Sequence, residues 1–446
     1  MNTTIFKLTV FCSICAMALH PDAGRAASPL DQTMLPPSEL RLSLKDAMEA
    51  ALDNNPDVRL YKEKIQAARA ASSTQLGTLL PNLSGSGQAT HQTVYLGKFG
   101  LGPRRTDPFE VYDARVSMTQ SLFSLSLIQK WKASREALKV AELESQTTQS
   151  DAMGTAGLLY VEALRADALV KSHEANLQLF TELIQLARDR RGSGMGTGLD
   201  TARLQAQLEN ERQQLATSRY EVERVHLNLI NALGLPFEVR LVLTDSLKTE
   251  VDTTPSIQDA VATALAERME VKAQSQRVKT ASIGLNSTMS ERLPSVQAQG
   301  DYGKIGNRMD QTVDTYNIGA FLTIPLFDGG QRQGRIQEGR SQVRQEMIRL
   351  QNVSNHVTLE VREALVTLAS GQEQVGIARA GMEAALTELS LARERFAVLS
   401  SSSNLEVTNA LFSVSRAREN TVEAMFRLNQ ARINLARALG RLARIS

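Results

Sequence analysis

The sequence has almost no cysteine and few aromatic residues. Of its 446 residues only two are cysteine, Cys12 and Cys15, and both lie near the start of the chain. From residue 27 onward there is no thiol, which excludes disulfides and thiolate metal sites in that part. Phe, Tyr and Trp make up 4% of the residues, too little for an ordinary globular core of this size. The composition instead favours long, thin helices packed through Ala and Leu.

An excess of charge and long apolar runs are also missing. The 50 basic and 48 acidic residues are interspersed, which argues against a nucleic-acid-binding groove and therefore against a nucleic acid partner. Beyond residue 30 no segment approaches the roughly 18 consecutive apolar residues that a membrane-spanning helix requires. The sequence therefore predicts no transmembrane helix in that part of the chain.

The first residues have the pattern of an export signal. Lys7 precedes an apolar run from Leu8 to Leu19, and residues 24–26 (Gly-Arg-Ala) form a small-x-small cleavage site. We expect a signal peptide over residues 1–26 and a mature chain that begins near Ala27. A membrane anchor is the alternative, but the apolar run is too short, since a helix needs about 20 residues to span a bilayer.

The chain repeats one plan twice. Residues 43–47 (Ser-Leu-Lys-Asp-Ala) align with residues 256–260 (Ser-Ile-Gln-Asp-Ala) at an offset of 213, and an Ala-Leu-Gly ends each half at an offset of 206. Repeats of this length exceed the roughly 20 to 50 residues of a solenoid unit, so we infer duplication of a whole architectural unit. The sequence predicts four segments after the signal: a leader (27–41), a first repeat (42–235), an equatorial connector (236–255) and a second repeat (256–446).

Each repeat contains one stretch with the alternation of a β-hairpin. These stretches lie at about residues 81–123 and 294–328, where polar and apolar residues alternate. Strands of roughly 10 residues can cross a membrane when tilted. The alternative is a soluble β-sandwich with one face in water. Two hairpins supply only four strands, too few to close a barrel, so we expect pairing with other copies of the chain.

The rest of each repeat has the composition of long helices. Helical segments of some 65 to 70 residues run from Ser124 to about Arg191 and from about Gly329 to Val398, long enough for helices of about 100 Å. Each ends at a Gly- or Ser-rich turn, and a helix about half as long returns from that turn. The length that each return helix lacks is close to that of the helical segment before the hairpin, 43–78 or 256–292. We therefore expect the return helix and this segment to stack end to end beside each long helix.

Several motifs point to a known family. Leu-Ser-Leu-x-x-Ala at residues 42–47 precedes Asn55-Pro56, Leu-Pro precedes each first strand, and Ile-Pro-Leu-Phe-Asp-Gly-Gly occupies residues 324–330. Together with the Ala-Leu-Gly at the end of each half, these motifs cover nearly all of the chain after the export signal. On these residues the chain resembles the TolC family of outer-membrane efflux proteins of Gram-negative bacteria.

The resemblance implies a fold class and a function. The fold would be mixed α and β: a homotrimer whose four strands per chain form a 12-stranded transmembrane β-barrel, continuous with a long periplasmic α-helical barrel. The chain would be the passive outer-membrane channel of a tripartite efflux or type I secretion system. Its partners would be a periplasmic adaptor protein, an inner-membrane pump and outer-membrane lipid. No cofactor, metal or catalytic residue is expected, and the exported substrate stays open.

Members of that family meet their adaptor at the turns of their helix hairpins. The resemblance implies adaptor contacts from two groups of residues: Gly196, Thr197, Gly198 and Leu199 in the first turn, and Ser402, Ser403, Asn404 and Leu405 in the second. The alternative is that Gly and Ser occur there only because a tight turn needs unusual backbone angles and helix caps. A phosphate-binding loop is not expected, because no strand precedes the glycines and no Gly-Lys-Ser/Thr follows them.

Family members also narrow the tunnel near this end with rings of acidic side chains. The matching position is Glu406, and one turn further on Asn409 stands where a second acid is common. The resemblance implies that three copies of Glu406 concentrate negative potential and favour cations. The alternative is that Glu406 only interacts with its helix dipole from the first turn. Asp200, at the equivalent place in the first repeat, is expected to be a first-turn or capping residue.

No set of catalytic or metal-binding residues is evident in the sequence. His91, His173, His226 and His356 are scattered without the spacing of a metal site, and we expect them on the solvated surface. The main rival to a channel is a periplasmic coiled-coil adaptor or scaffold, which would lack two membrane-length hairpins. The second rival is an exported enzyme, which the absence of catalytic motifs disfavours.

Overall fold

The computed structural model describes residues 39–100, 102–250, 255–398 and 404–444. The expected signal peptide and most of the expected leader lie outside these residues. The strands within the described part are β1 Glu39–Leu42, β2 Asn82–Gln92, β3 Phe109–Phe123, β4 Arg240–Leu243, β5 Ser295–Gly306 and β6 Val313–Thr323. The α-helices there are α1 Leu44–Asn54, α2 Pro56–Gly77, α3 Leu125–Gly192, α4 Gly198–Leu233, α5 Ile257–Glu267, α6 Met269–Ser290, α7 Gln331–Val398 and α8 Asn404–Ala438.

Two helices of 68 residues each, α3 and α7, are the longest elements. At 1.5 Å per residue each is about 100 Å long. The chain returns from them along helices of about half that length, α4 with 36 residues and α8 with 35. Ser124 begins α3, because its hydroxyl accepts a hydrogen bond from the Leu127 N–H. The predicted long helices with half-length returns are confirmed.

Two shorter helices precede each hairpin and contact the long helix of the same half. α1 and α5 have 11 residues each, and α2 and α6 have 22 residues each. Both α1 and α2 contact α3, both α5 and α6 contact α7, and α6 also contacts α3. The two halves therefore agree in the order and length of their helices.

One antiparallel sheet contains the strands of both predicted hairpins, in the order β2-β3-β5-β6. A bulge between Ser121 and Phe123 precedes the start of α3. Side chains alternate between a polar and an apolar face, and apolar residues such as Val116 and Ile318 are exposed. Among the described residues, β2 and β6 each have a single neighbouring strand, so both edges of the sheet remain open within this chain.

A second sheet of two strands joins β1 to β4. β4 lies in the segment expected as the equatorial connector. β1 begins at Glu39, so the last residues of the expected leader are ordered in a strand. Leu42 is buried there, in the same apolar cluster as Tyr160 of α3. The Tyr160 hydroxyl donates to the Leu42 carbonyl at 2.9 Å, and burial raises the pKa of Tyr160 to about 12, so it remains a donor at neutral pH.

The core lies between the helices rather than in one central layer. Its clusters consist mainly of Ala, Val, Leu and Ile side chains from α3, α4, α7 and α8, with contributions from the shorter helices. This composition agrees with the low aromatic content of the chain. None of the helices in the described residues has an apolar stretch long enough to cross a membrane.

Candidate functional site

The turn between α3 and α4 is the first of the two predicted docking sites. Thr197 is the N-cap of α4: its hydroxyl accepts from the Asp200 N–H at 3.3 Å, and the Asp200 carboxylate accepts from the Thr197 N–H at 3.1 Å. This capping box confirms the expected role of Asp200. Met195 and Leu199 are 46% and 58% exposed. The turn therefore exposes two apolar side chains beside a helix start that is held by the capping hydrogen bonds.

Glycine is needed at two positions of this turn for reasons of backbone geometry. Gly194 has φ +74°, a left-handed conformation that costs other residues about 1–2 kcal/mol. At Gly196 a Cβ would lie 3.0 Å from the backbone nitrogen of Arg191. These constraints account for Gly194 and Gly196 without a partner, whereas a Cβ at Gly198 would meet no atom closer than 3.7 Å.

Arg190 ties this turn to the end of α7. Its side chain is buried, one guanidinium nitrogen donates to the Met195 carbonyl at 3.2 Å, and another donates to the Phe396 carbonyl. The guanidinium carbon also lies 4.1 Å from the centre of the Phe396 ring. Sequence reasoning missed this residue. The only available signal was a cluster of arginines at the helix end, and it does not show which of them is buried.

The second predicted docking turn joins α7 to α8 and is described only at its borders. Ser402 and Ser403 lie outside the described residues, and Asn404 is the first residue of α8. Leu405 is 53% exposed. Leu199 and Leu405 occupy equivalent places in the two halves, and the structure exposes both.

Glu406 and Asn409 lie on one exposed face of α8, while Val407 and Ala410 between and beside them are buried. Glu406 is in the first turn of its helix, where a carboxylate interacts favourably with the helix dipole. Its carboxylate also lies 3.7 Å from the guanidinium of Arg395 on α7. Both side chains are about half exposed or more, so this pair contributes at most about 1 kcal/mol. The acidic charge is therefore accessible but partly balanced.

An apolar cluster holds α3, α4, α7 and α8 together behind these turns. Each of the four helices contributes side chains to it. Its larger members are Phe180, Leu183, Ile184, Leu204, Leu208, Leu389, Phe396, Val407, Leu411 and Val414. Truncating one such residue to alanine typically costs about 2–5 kcal/mol. The cluster thus joins both helix hairpins at this end of the chain.

A buried polar cluster lies where α4 and α8 pack against α3. The His173 Nδ1 is 2.7 Å from the Glu211 carboxylate, which also accepts from the Asn176 amide at 3.0 Å. From α8, the Arg418 guanidinium donates to the Asn176 amide oxygen at 2.6 Å, and the Ser415 hydroxyl accepts from the Asn176 amide at 2.8 Å. The hydrogen bond to Glu211 raises the pKa of His173, and burial lowers the pKa of Arg418.

The expectation that all four histidines lie on the solvated surface is wrong for His173. It is 6% exposed, because α4 and α8 cover this face of α3. His226 is also largely enclosed and lies 3.8 Å from Asp167, whose pKa burial raises. His91 and His356 are exposed, as expected. A helix that is covered on several sides has no single polar face, so the sequence period alone does not place its polar residues.

The described residues offer no alternative chemical site. None of the groups of His, Cys, Asp and Glu among them is arranged to hold a metal ion. A groove of about 640 Å³ between α7 and α8 is lined by both acidic and basic side chains, including Glu388, Arg416, Glu423 and Arg427. No histidine joins Ser413 in the lining of this groove to act as its base. The exposed side chains at the turns and along α8 are therefore the remaining candidates for contacts with a partner or with solutes.

Comparison with known proteins identifies the family. The sequence profile described as outer membrane efflux protein matches residues 47–235 and 260–441. The alkaline protease secretion protein AprF of Pseudomonas aeruginosa is 22% identical over 302 residues, which cover 65% of this chain and 62% of AprF. The alignment thus spans about three fifths of that relative. The probable efflux pump outer membrane protein TtgC of Pseudomonas putida is 20% identical over 84% of this chain and 78% of TtgC.

A solved structure shows the same fold. The outer membrane protein VceC of Vibrio cholerae superposes with a TM-score of 0.76 over 89% of this chain and 96% of VceC, at 17% identity. At this identity the similarity concerns the fold alone. It agrees with the mixed helix and strand architecture described above. Together with the sequence profile, which covers most of the chain, it confirms the resemblance found in the motifs: the chain belongs to the outer membrane efflux protein family.

Proposed function

We propose that the chain is the outer-membrane channel of a tripartite efflux or type I secretion system. Three identical copies pool their four-stranded sheets into a 12-stranded transmembrane barrel, and their helices continue it as a tunnel in the periplasm. Substrates pass passively from a periplasmic adaptor and an inner-membrane pump, and the chain itself catalyses no reaction. The matching helix lengths of the two halves support an origin by internal duplication.

The observation that carries this proposal is the open sheet with an exposed apolar face. β2 and β6 have unpaired outer edges within the described chain, and exposed edges of this length are normally covered in a soluble protein. Val116, Tyr302, Tyr316 and Ile318 are all more than half exposed on one face of that sheet. Pairing of each β2 with the β6 of the next copy covers the edges, and lipid covers the apolar face.

The rival interpretation as a periplasmic coiled-coil adaptor or scaffold is disfavoured by the same sheet. An adaptor needs long helices, but it has no use for four strands of 11 to 15 residues with an apolar outer face. The outer membrane location follows from the family. AprF is named for protease secretion and TtgC for an efflux pump, so the class of substrate stays open between a polypeptide and small molecules.

Mass measurement and conductance together test the proposed channel. The protein is extracted in mild detergent, weighed by native mass spectrometry and inserted into a planar lipid bilayer. We expect a mass of three chains and discrete conductance steps in salt solution. A folded single chain that stays soluble without detergent, or a trimer that never conducts at any voltage, would overturn the proposal.

We also propose that both helix-hairpin turns contact the adaptor, through Gly196, Thr197, Gly198, Leu199, Ser402, Ser403, Asn404 and Leu405. The support is the exposure of Leu199 and Leu405 at equivalent places. Replacing both leucines by aspartate should abolish export in cells while the purified trimer still conducts. The control is Met309, which is 62% exposed in the loop between β5 and β6, at the end of the sheet away from the helices. Met309→Asp should leave export intact. Normal export by the double variant would refute the docking role.

We further propose that Glu406 and Asn409 line a constriction of the tunnel. Their exposed common face on α8 supports this role. Glu406→Gln should weaken block of the conductance by multivalent cations, because it removes three carboxylates from one level. Arg395→Gln, which removes the cation 3.7 Å from Glu406, should strengthen the block. An unchanged response in both variants would remove Glu406 from the constriction.

A further inference from the structure

The sheet carries a cluster of three charged side chains on its polar face. The Arg115 guanidinium binds Asp113 of the same strand through two nitrogens, at 3.0 and 2.8 Å. A third nitrogen donates to the Asp301 carboxylate of β5 at 2.7 Å. We propose that this Asp113–Arg115–Asp301 cluster sets the charge selectivity of the barrel. This inference rests on the proposed function as a channel.

The register of the sheet puts the cluster on one face. Ser86, Arg115, Gly303 and Thr315 lie side by side across the four strands. In the next row on the same face, Ser117 of β3 lies beside Asp301 of β5. Since side chains two residues apart share a face, Asp113, Arg115 and Asp301 all point to the same side of the sheet.

The three side chains of the cluster are less exposed than apolar side chains on the opposite face of the sheet. The side chains of Asp113, Arg115 and Asp301 are 20%, 29% and 22% exposed. On the opposite face Val116 and Tyr302 are both 56% exposed. The cluster is therefore partly buried on the polar face, the face that lines a water-filled interior when such a sheet closes into a barrel.

The cluster contains all the Asp, Glu, Lys and Arg side chains that β2, β3, β5 and β6 place on that face. The other Asp, Glu, Lys and Arg residues in β2, β3, β5 and β6 are Glu110, Lys304 and Asp314, and their register puts them on the outer face. Lys304 and Asp314 lie directly opposite each other there, 3.6 Å apart. Inside, the remaining side chains of this face are neutral, so no other charge in these strands competes with the cluster.

The cluster carries one net negative charge per chain, from two carboxylates and one guanidinium. In a closed barrel of three copies these charges form a ring at one level, in the half of the barrel farther from the helices. Low-dielectric walls focus the potential of such a ring, which raises the local concentration of cations over anions. Arg115 moderates this preference because it neutralises one of its two carboxylate partners.

Ion selectivity of the assembled channel measures this effect. Reversal potentials in a KCl gradient give the ratio of potassium to chloride permeability for four forms of the protein. We expect the highest ratio of potassium to chloride permeability for Arg115→Gln and the next highest for the wild type. The neutral triple variant, Asp113→Asn with Arg115→Gln and Asp301→Asn, should follow, and the double variant, Asp113→Asn with Asp301→Asn, should have the lowest ratio. The net charge of the cluster per chain runs in the same order, from two negative charges to one positive charge.

Two controls keep the test decisive. Lys304→Gln with Asp314→Asn removes a neighbouring ion pair from the outer face of the same sheet, and should leave the permeability ratio unchanged. If a charge variant fails to assemble, wild-type charges are kept and Ser117→Cys is compared with Met118→Cys, which lies on the opposite face. No cysteine occurs after residue 15, so a charged methanethiosulfonate reagent should alter the current of Ser117→Cys alone.

The outcomes separate this inference from the proposed function. A channel that conducts normally but has the same permeability ratio in all four forms would overturn the role of the cluster and leave the channel proposal intact. If the reagent leaves the current of the Ser117→Cys channel unchanged, the placement of this face inside the barrel is overturned. A wild-type protein that does not conduct would overturn the proposed function itself.

Discussion

The two halves of the chain solve the same structural problem, a break between a short and a longer helix, with different chemistry. The break follows Asn54 in the first half and Glu267 in the second. A glycine in the left-handed conformation packs against each break, Gly234 with φ +65° and Gly440 with φ +70°. The geometry is therefore shared, whereas the residue that fills the break is not.

Neutral hydrogen bonds fill the first break. The Asn55 side-chain oxygen accepts from the Asp57 N–H at 2.8 Å and caps α2, while the Asn55 amide donates to the Ala232 carbonyl at 2.9 Å near the end of α4. Pro56 follows at the start of α2, where its missing N–H removes no helical hydrogen bond. These interactions involve no ionised side chain at the break.

Buried charge fills the second break. Arg268, at the position equivalent to Asn55, has its guanidinium 2.6 Å from the Glu270 carboxylate and bonded to Glu360 of α7. Unlike Asn55, the Arg268 side chain does not cap the helix that follows it. Burial raises the pKa of Glu270, and the charge of the nearby Arg268 opposes this shift. A single geometry can thus be held either by short-range hydrogen bonds or by paired charges, and the two should respond differently to mutation and salt.

Halfway along the helix pairs this contrast is reversed. The first half buries His173 and Glu211 between α3 and α4. At the equivalent positions, 206 residues later, Arg379 is exposed and Ala417 packs against the apolar cluster. The difference arises from tertiary packing. α3 contacts both α4 and α8, and these two helices enclose the polar residues of α3. In contrast, α7 does not contact α4 in any of the larger helix interfaces of the described residues.

Replacing Gly234 or Gly440 by alanine tests whether the two breaks, which share a backbone conformation, are packed equally tightly. We expect the largest loss of stability from this pair of changes. At Gly234 a Cβ would lie 2.4 Å from the Asn54 carbonyl oxygen, so Gly234→Ala adds a backbone clash to the left-handed strain and should cost roughly 3 kcal/mol. At Gly440 the nearest atom is 3.5 Å away, and only the strain of about 1 kcal/mol remains. Thermal unfolding followed by circular dichroism measures both, and equal losses would contradict this difference.

Replacing the residues that fill the breaks sharpens the contrast between charge and neutral hydrogen bonds. Arg268→Met leaves two partly buried carboxylates without their cation and should cost about 2 kcal/mol. Asn55→Ala removes one cap and should cost about 1 kcal/mol. The same unfolding measurement at low and high salt separates them, because screening reduces only the first loss. Arg268→Met with Glu360→Gln should recover part of the stability. A salt-dependent loss in Asn55→Ala would break the comparison.

The pH dependence of stability tests the reversed contrast and is expected to be the smallest effect. Because Glu211 raises the pKa of His173, their pairing stabilises the fold fully below the ordinary histidine pKa of about 6.5 and less as pH rises through the folded-state value. The melting temperature of His173→Gln should therefore lie furthest below wild type near pH 6 and approach it at pH 9. Arg379→Gln, at the equivalent exposed position, is the control without this trend. A constant difference across pH would contradict the role of His173.

Much of the fold was predictable from the sequence because it depends on local patterns. The alternation around Val116 predicted a strand with one apolar face, and the long proline-free segments predicted α3 and α7. Thr197 and Asp200 have the spacing of a capping box, so the role of Asp200 could be anticipated. Leu199 was predicted at a turn, and its exposure follows from that position. In each of these cases the interacting groups are a few residues apart in the chain.

The residues that sequence reasoning missed have partners far away in the chain. Arg190 bonds to Phe396, and Arg268 bonds to Glu360 on another helix. Arg115 and Asp113 share a face by their spacing alone, but only the pairing of β3 with β5 brings Asp301 to them. His173 has no sequence feature that separates it from a surface histidine.

The sequence by itself determined the long helices, the two hairpins, their polar and apolar faces and the family of the chain. Backbone propensity, capping and side-chain period act over a few residues, so these features are set locally. Only the tertiary structure decided which charges are buried and with whom they pair. Burial of a charge depends on the elements that pack against it, and two halves with matching helix lengths but different neighbours therefore hold their charges at different places.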